Sequence, residues 1–147
     1  MDINQLKQLR QETNVSVSEC KKALKEAKGD TEKAKSLLRE WGKEVAANKK
    51  ERITNHGIID CYVHSNKKIG VLLELNCETD FVAKSLDFNN LAHELCLQIA
   101  SNRDEQTELI SQSWIKDESK TIKDLVNEYI TKIGENIIIK RFERYEL

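Results

Sequence analysis

The sequence predicts an α+β protein: a three-helix amino-terminal unit, then an antiparallel sheet with helices on one face. Three observations carry the prediction. Apolar residues in the first 50 positions recur at helical spacing in three short blocks. Residues 58–77 alternate with period two about a short polar turn. Two helical patterns then separate that hairpin from a last β-rich stretch, Ile137 to Tyr145. The order ββ, helices, β suits an antiparallel sheet covered on one side.

In the first unit, Ile3, Leu6 and Leu9 mark a short amphipathic helix ending near Thr13-Asn14. Ser16-Val17-Ser18-Glu19 has the spacing of a capping box, in which hydroxyl and carboxylate each satisfy an orphan backbone N–H. Val15 and Cys20 flank it as a hydrophobic staple. Cys20, Ala23, Leu24 and Ala27 give the second helix its apolar stripe. Gly29 suits a left-handed stop and Asp30 the next cap. Ala34, Leu37, Leu38 and Trp41 supply the buried face of the third helix. Lys43 to Arg52 is polar and reads as a helical linker with no core residues. The expected division is residues 1–50, including the start of the linker, and residues 54–147.

The second unit opens with a strand, Ile58 to His64, a turn over Ser65 to Lys68 in which Asn66 can take positive φ, and a return strand, Ile69 to Cys77. Val71, Leu73, Leu75 and Cys77 share one face of that strand; Leu72, Glu74 and Asn76 share the other. After the Asp80 turn, Ser85 and Asp87 interrupt the helix and can cap a new one whose core face is Phe88, Leu91, Ala92, Leu95 and Ile99. Residues 104–120 are acidic and polar, with a short helix expected around Leu109, Ile110 and Trp114. Ile122, Leu125, Val126, Tyr129, Ile130 and Ile133 form a strongly periodic helix stopped by Gly134. There is no internal repeat.

Composition narrows the function classes. The chain has 147 residues, 39% hydrophobic and 33% charged, enough for a core inside a well-solvated surface. No apolar run approaches bilayer length, and the amino end resembles neither a signal peptide nor a transit peptide, so the cytoplasm is the expected compartment and no membrane partner is expected. Residues 1–50 hold 12 basic and 8 acidic side chains, leaving 12 and 17 for the rest. The amino-terminal lysines at 21, 22, 25 and 28 could suit nucleic acid, which is the alternative reading: a small nucleic-acid-binding protein using these helices. Glutamates are interleaved with the lysines, aromatics are few and net charge is −1, so direct nucleic-acid contact is not expected. Cys20, Cys61, Cys77 and Cys96 lie far apart in apolar patterns and read as small buried hydrophobes rather than metal ligands. No nucleophile elbow or phosphate-cradling glycine loop is present. Neither an enzyme nor a cofactor is expected.

The strand Ile69 to Cys77 runs almost without a loop into Thr79-Asp80-Phe81-Val82-Ala83-Lys84. Thr79 is a good N-cap and Asp80 suits the positive end of a helix dipole. On residue types alone, Phe81 is either a core anchor at the corner or a wedge aimed at a partner. The segment resembles the core motif of the bacterial elongation factor Ts family, guanine-nucleotide exchange factors for elongation factor Tu. Two other segments agree: Cys20-Lys21-Lys22-Ala23-Leu24 followed by Gly29-Asp30, and Lys132-Ile133-Gly134-Glu135-Asn136-Ile137.

The resemblance implies a ubiquitin-associated-like amino-terminal domain, followed by a dimerisation-type core module. Many members of the family carry two core modules, and this chain shows one. It also implies that Thr79, Asp80, Phe81 and Val82 bind the G domain of elongation factor Tu and disturb its Mg²⁺ and phosphate region, so that GDP leaves during translation elongation. A secondary contact falls on Arg10 and on Val17 and Ser18, where the family often has two methionines. A homodimer is expected, because a last strand rich in Ile137, Ile138, Ile139 and Phe142 has an unpaired edge. A monomer protected by Lys140, Arg141, Glu143 and Arg144 is the competing reading.

Overall fold

Side-chain caps start each of the first three helices in the computed structural model, which describes residues 2–147. Asp2 accepts from the Asn4 N–H before α1 (Ile3–Thr13), Ser16 from the Glu19 N–H before α2 (Val17–Glu26), and Asp30 from Glu32 and Lys33 before α3 (Thr31–Lys49). Left-handed residues end the first two: Asn14 after α1, then Lys28 and Gly29 after α2. Leu9, Cys20, Ala23, Leu24, Ala27, Ala34 and Leu38 close a small core, with Leu6, Val15, Leu37 and Trp41 around it. The expected capping box is only half made. The Glu19 carboxylate takes the Ser16 hydroxyl at 2.8 Å instead of reaching back to the Ser16 N–H, because a rotatable hydroxyl is the nearer donor.

The rest of the chain is β1 (His56–Val63), β2 (Ile69–Cys77), α4 (Asp80–Ala83), α5 (Leu86–Ser101), a 3-10 turn (Leu109–Ser111), β3 (Ser113–Trp114), β4 (Asp117–Thr121), α6 (Ile122–Ile133) and β5 (Ile137–Glu146). The architecture is therefore mixed helix and antiparallel sheet. The main sheet has the order β1-β2-β5, all antiparallel. Val71, Leu73, Leu75 and Cys77 face inward and pack with Phe88, Leu91, Leu95, Ile122, Leu125, Ile130 and Ile137. The opposite face carries the exposed Ile59, Cys61, Val63, Leu72 and Ile138. In β5 the register shifts between Ile139, opposite Leu75, and Arg141, opposite Glu74, leaving Lys140 as a bulge. That bulge lets Ile137 and Ile139 face the core before it and Phe142 and Arg144 after it.

Several expectations are corrected. Cys61 is exposed, unlike Cys20, Cys77 and Cys96, because it alternates outward on an uncovered sheet face. In the hairpin turn, positive φ falls on Lys67, while the Asn66 side chain accepts the Lys68 N–H and holds the turn. The short helix expected around Leu109, Ile110 and Trp114 forms only over Leu109–Ser111, as a 3-10 turn, and Trp114 lies in the two-stranded ribbon of residues 113–121. The ribbon is anchored by the buried Gln98, whose amide donates to Gln112 and Ser113 and accepts from the Ile115 N–H. The reciprocal capping box lies elsewhere, at Thr121 and Asp124 opening α6.

The polar linker is not a free spacer. α3 continues unbroken to Lys49, and its second half lies on α6. Gly42 is buried there, with room for a Cβ only 3.4 Å from the Thr131 hydroxyl, and Ala46 packs against the main core. Small residues four apart on one helix face permit close approach without any hydrophobic stripe in the sequence.

Candidate functional site

Local hydrogen bonds between side chains and backbone shape the corner between β2 and α4. Cys77 is the last inward residue of β2, and its thiol donates to the Thr79 carbonyl at 3.2 Å. Burial, and then the nearby Glu135 carboxylate, push that thiol up to about 11, so it stays protonated at neutral pH. Thr79 has extended backbone and its hydroxyl accepts from the Val82 N–H, which caps α4. Val82 and Ala83 then turn into the core.

The two residues between cap and core are left outside. Asp80 is exposed and pairs with the Lys84 ammonium one turn later at 2.7 Å. The Lys84 hydrogen bond, then its charge, hold the Asp80 carboxyl below the usual range, so Asp80 is ionised at neutral pH. Phe81 is 86% exposed, which removes the core-anchor reading. Val82 behaves in the opposite way: at 7% exposure it fastens the corner rather than presenting a surface. Leu86, 75% exposed at the start of α5, adds apolar surface beyond Phe81 that the sequence reading did not single out. A leucine in a first helical turn carries no signal that distinguishes it from core.

The second predicted patch lies on the amino-terminal helices. Arg10 is exposed on the last turn of α1, and Val17 and Ser18 are exposed in the first turn of α2. The structure therefore divides the predicted residues between two units: the corner on the sheet, and Arg10 with the α2 start on the helical unit. Among the described residues, no group of three His, Cys, Asp or Glu side chains could hold a metal ion, and no helix is long and apolar enough to cross a membrane.

Residues distant in sequence hold the corner. Glu135 accepts from the Thr79 N–H at 3.0 Å and from the Thr79 hydroxyl at 2.8 Å. The Asn136 N–H donates to Glu78 at 2.7 Å, and its buried amide donates to the carbonyls of Lys50 and Arg52. Glu135 and Asn136 belong to a segment that resembles the family, but nothing in its local pattern reveals partners more than 50 positions away.

The family model for Elongation factor TS matches residues 78–147, which begin at this corner and run through β5. Curated relatives extend the similarity over nearly the whole chain. The protein named Elongation factor Ts of Thermoanaerobacter sp. (strain X514) is 39% identical over 187 aligned positions, covering 96% of this chain and 92% of that protein. The Elongation factor Ts of Thermotoga neapolitana is 40% identical, with coverage of 97% and 94%, and that of Coprothermobacter proteolyticus is 39% identical, with coverage of 97% and 95%. An alignment of 187 positions against a chain of 147 residues means that the first relative has at least 40 residues within the matched span that this chain lacks. With an exposed Asp80-Phe81 corner and similarity of this depth across both units, the chain belongs to the elongation factor Ts family.

Proposed function

We propose that the protein is the guanine-nucleotide exchange factor for elongation factor Tu in translation elongation, and that the Thr79–Val82 corner is the wedge that loosens GDP. The observation that carries this reading is the 86% exposure of Phe81 on a corner whose neighbours are fastened to the core. An aromatic of that size left in water contributes its apolar area only when a partner covers it. Mg²⁺ in a nucleotide site has few protein ligands and demands tight geometry, so a small displacement of its supports weakens GDP without contact to the base. No covalent bond is made or broken; the protein acts by stabilising the nucleotide-free partner.

Arg10, Val17 and Ser18 form the secondary contact, on a ubiquitin-associated-like domain of residues 1–50 attached to the core module of residues 54–147. The setting is the cytoplasm, without membrane or direct nucleic-acid contact. The protein works as a homodimer joined at β5, one of the two open edges of the sheet order β1-β2-β5 and the one rich in Ile137, Ile138, Ile139 and Phe142.

Thermodynamic reciprocity gives the test. If the protein weakens GDP binding, GDP with Mg²⁺ weakens the protein's binding by the same factor. Calorimetric titration into nucleotide-free elongation factor Tu should give an affinity at least about tenfold higher than titration into the GDP complex, a difference of about 1.4 kcal/mol. Equal affinities would remove the exchange function.

A further inference from the structure

α4 has only four residues, Asp80–Ala83, too few to hold a helical corner by its own hydrogen bonds. Its direction has to come from outside. The Glu135 carboxylate reaches it from the connection between α6 and β5, with one oxygen on the Thr79 N–H and the other on the Thr79 hydroxyl. The same hydroxyl accepts from the Val82 N–H, so Glu135 grips the residue that caps the corner.

Glu135 is itself held on both sides. Gly134 before it adopts φ 86°, and its carbonyl receives the Lys49 ammonium at 2.7 Å. Asn136 after it is 4% exposed and ties Glu78 to the end of α3 through the carbonyls of Lys50 and Arg52. Arg52 pairs in turn with Glu78. Three consecutive residues thus connect the exposed corner to the chain leaving α3.

We infer that Glu135 is a positioning residue for nucleotide exchange: it touches no partner atom in the proposed complex but sets the direction in which Asp80 and Phe81 project. This inference rests on the wedge reading. Thr79 lies at the surface, so water can replace both Glu135 hydrogen bonds, and the cost to folding is small. Water does not reproduce a two-point grip, however. Misplacement of a reacting or inserting group by about 1 Å can cost on the order of a hundredfold in rate. The expected signature is a loss of maximal exchange rate out of proportion to any loss of stability.

The test is stopped-flow release of fluorescent GDP from elongation factor Tu, measured across a range of exchange-factor concentrations. A partly unfolded population lowers the active concentration, which raises the half-saturating concentration and leaves the plateau unchanged. A misdirected corner lowers the plateau itself. Glu135→Ala should lower the plateau at least about fivefold, with a thermal unfolding midpoint close to that of the unchanged protein. Glu135→Gln retains an oxygen for the Thr79 N–H and gains a donor for the hydroxyl, and should restore most of the rate. Should Glu135→Ala fail to fold, Glu135→Asp keeps the charge but is one methylene too short for the double contact, and its plateau is read by the same criterion. An unchanged plateau in the folded Glu135 variant, alongside a lowered one for Phe81→Ala, overturns the positioning role and leaves the wedge intact. Unchanged plateaus in both overturn the wedge and the positioning role together.

Discussion

Phe81 contributes almost nothing to the packing of the free protein, because its ring is 86% exposed while its neighbour Val82 carries the burial at the corner. Replacing it should therefore separate function from folding. Phe81→Ala is expected to keep the circular dichroism spectrum and unfolding midpoint, yet slow stimulated GDP release at least about tenfold, since central aromatic anchors are worth about 2 kcal/mol or more. Asp80→Ala should do less: its ion pair with Lys84 is exposed, and such pairs contribute little. The cysteines offer a second check at this scale. The thiolate is the nucleophile, and burial pushes Cys96 up to about 12 and Cys77 up to about 11, with Cys20 also raised. Cys61 alone is exposed. A thiol-reactive chromophore at neutral pH should modify one cysteine quickly in the native protein and four after denaturation. Rapid reaction of two or more native thiols would show that the inner sheet face is more open than described.

Elements carried by an apolar period were legible in the sequence, and those held by small or polar side chains were not. β2 was readable from Ile69 to Cys77 because Val71, Leu73, Leu75 and Cys77 alternate without a break, and α6 because its stripe ends in a glycine. The corner at Thr79 was visible as a cap, but the fate of Phe81 was not, since a strand-helix junction can bury an aromatic or expose it. β4 has the sequence Asp-Glu-Ser-Lys-Thr, and its position depends on Gln98 rather than on any alternation. The seating of α3 on α6 depends on Gly42 and Ala46, which no hydrophobic pattern marks. Two glycines in the hairpin test the register. A Cβ on Gly57 would lie 2.2 Å from the Leu75 carbonyl oxygen and 2.8 Å from the Asn76 Cα, both backbone atoms, so Gly57→Ala must push β1 away from β2. It should destabilise by about 2 kcal/mol or more in urea unfolding. Gly70→Ala meets nothing within 4 Å and should be neutral or stabilising by up to about 1 kcal/mol. Equal effects at the two positions would contradict the β1–β2 register.

At the scale of the whole molecule, the β5 edge is where the proposed dimer forms. Nine of the ten residues of β5, all but the bulged Lys140, pair with β2, and the other side of the strand has no neighbour in the sheet. Charges usually protect such an edge, but three of those on β5 are engaged within the chain: Arg141 pairs with Glu74 across the outer face, and Arg144 turns inward to the Ala100 carbonyl and Glu146. Lys140 and Glu143 remain as protection, beside the part-exposed Ile138 and Phe142. Sedimentation equilibrium at micromolar concentration should give a mass near twice the 17.0 kDa of the chain, whereas a single-chain mass throughout would exclude the dimer. A dimer would carry two corners, one on each copy, and bind two partner molecules.

The central claim is that this chain releases GDP from elongation factor Tu by inserting Phe81. It is tested most directly by mixing the purified protein with elongation factor Tu carrying fluorescent GDP and an excess of unlabelled nucleotide. The account predicts release that accelerates with protein concentration to a plateau, with the acceleration lost in Phe81→Ala. Release at the unstimulated rate, at concentrations that saturate binding, would contradict it.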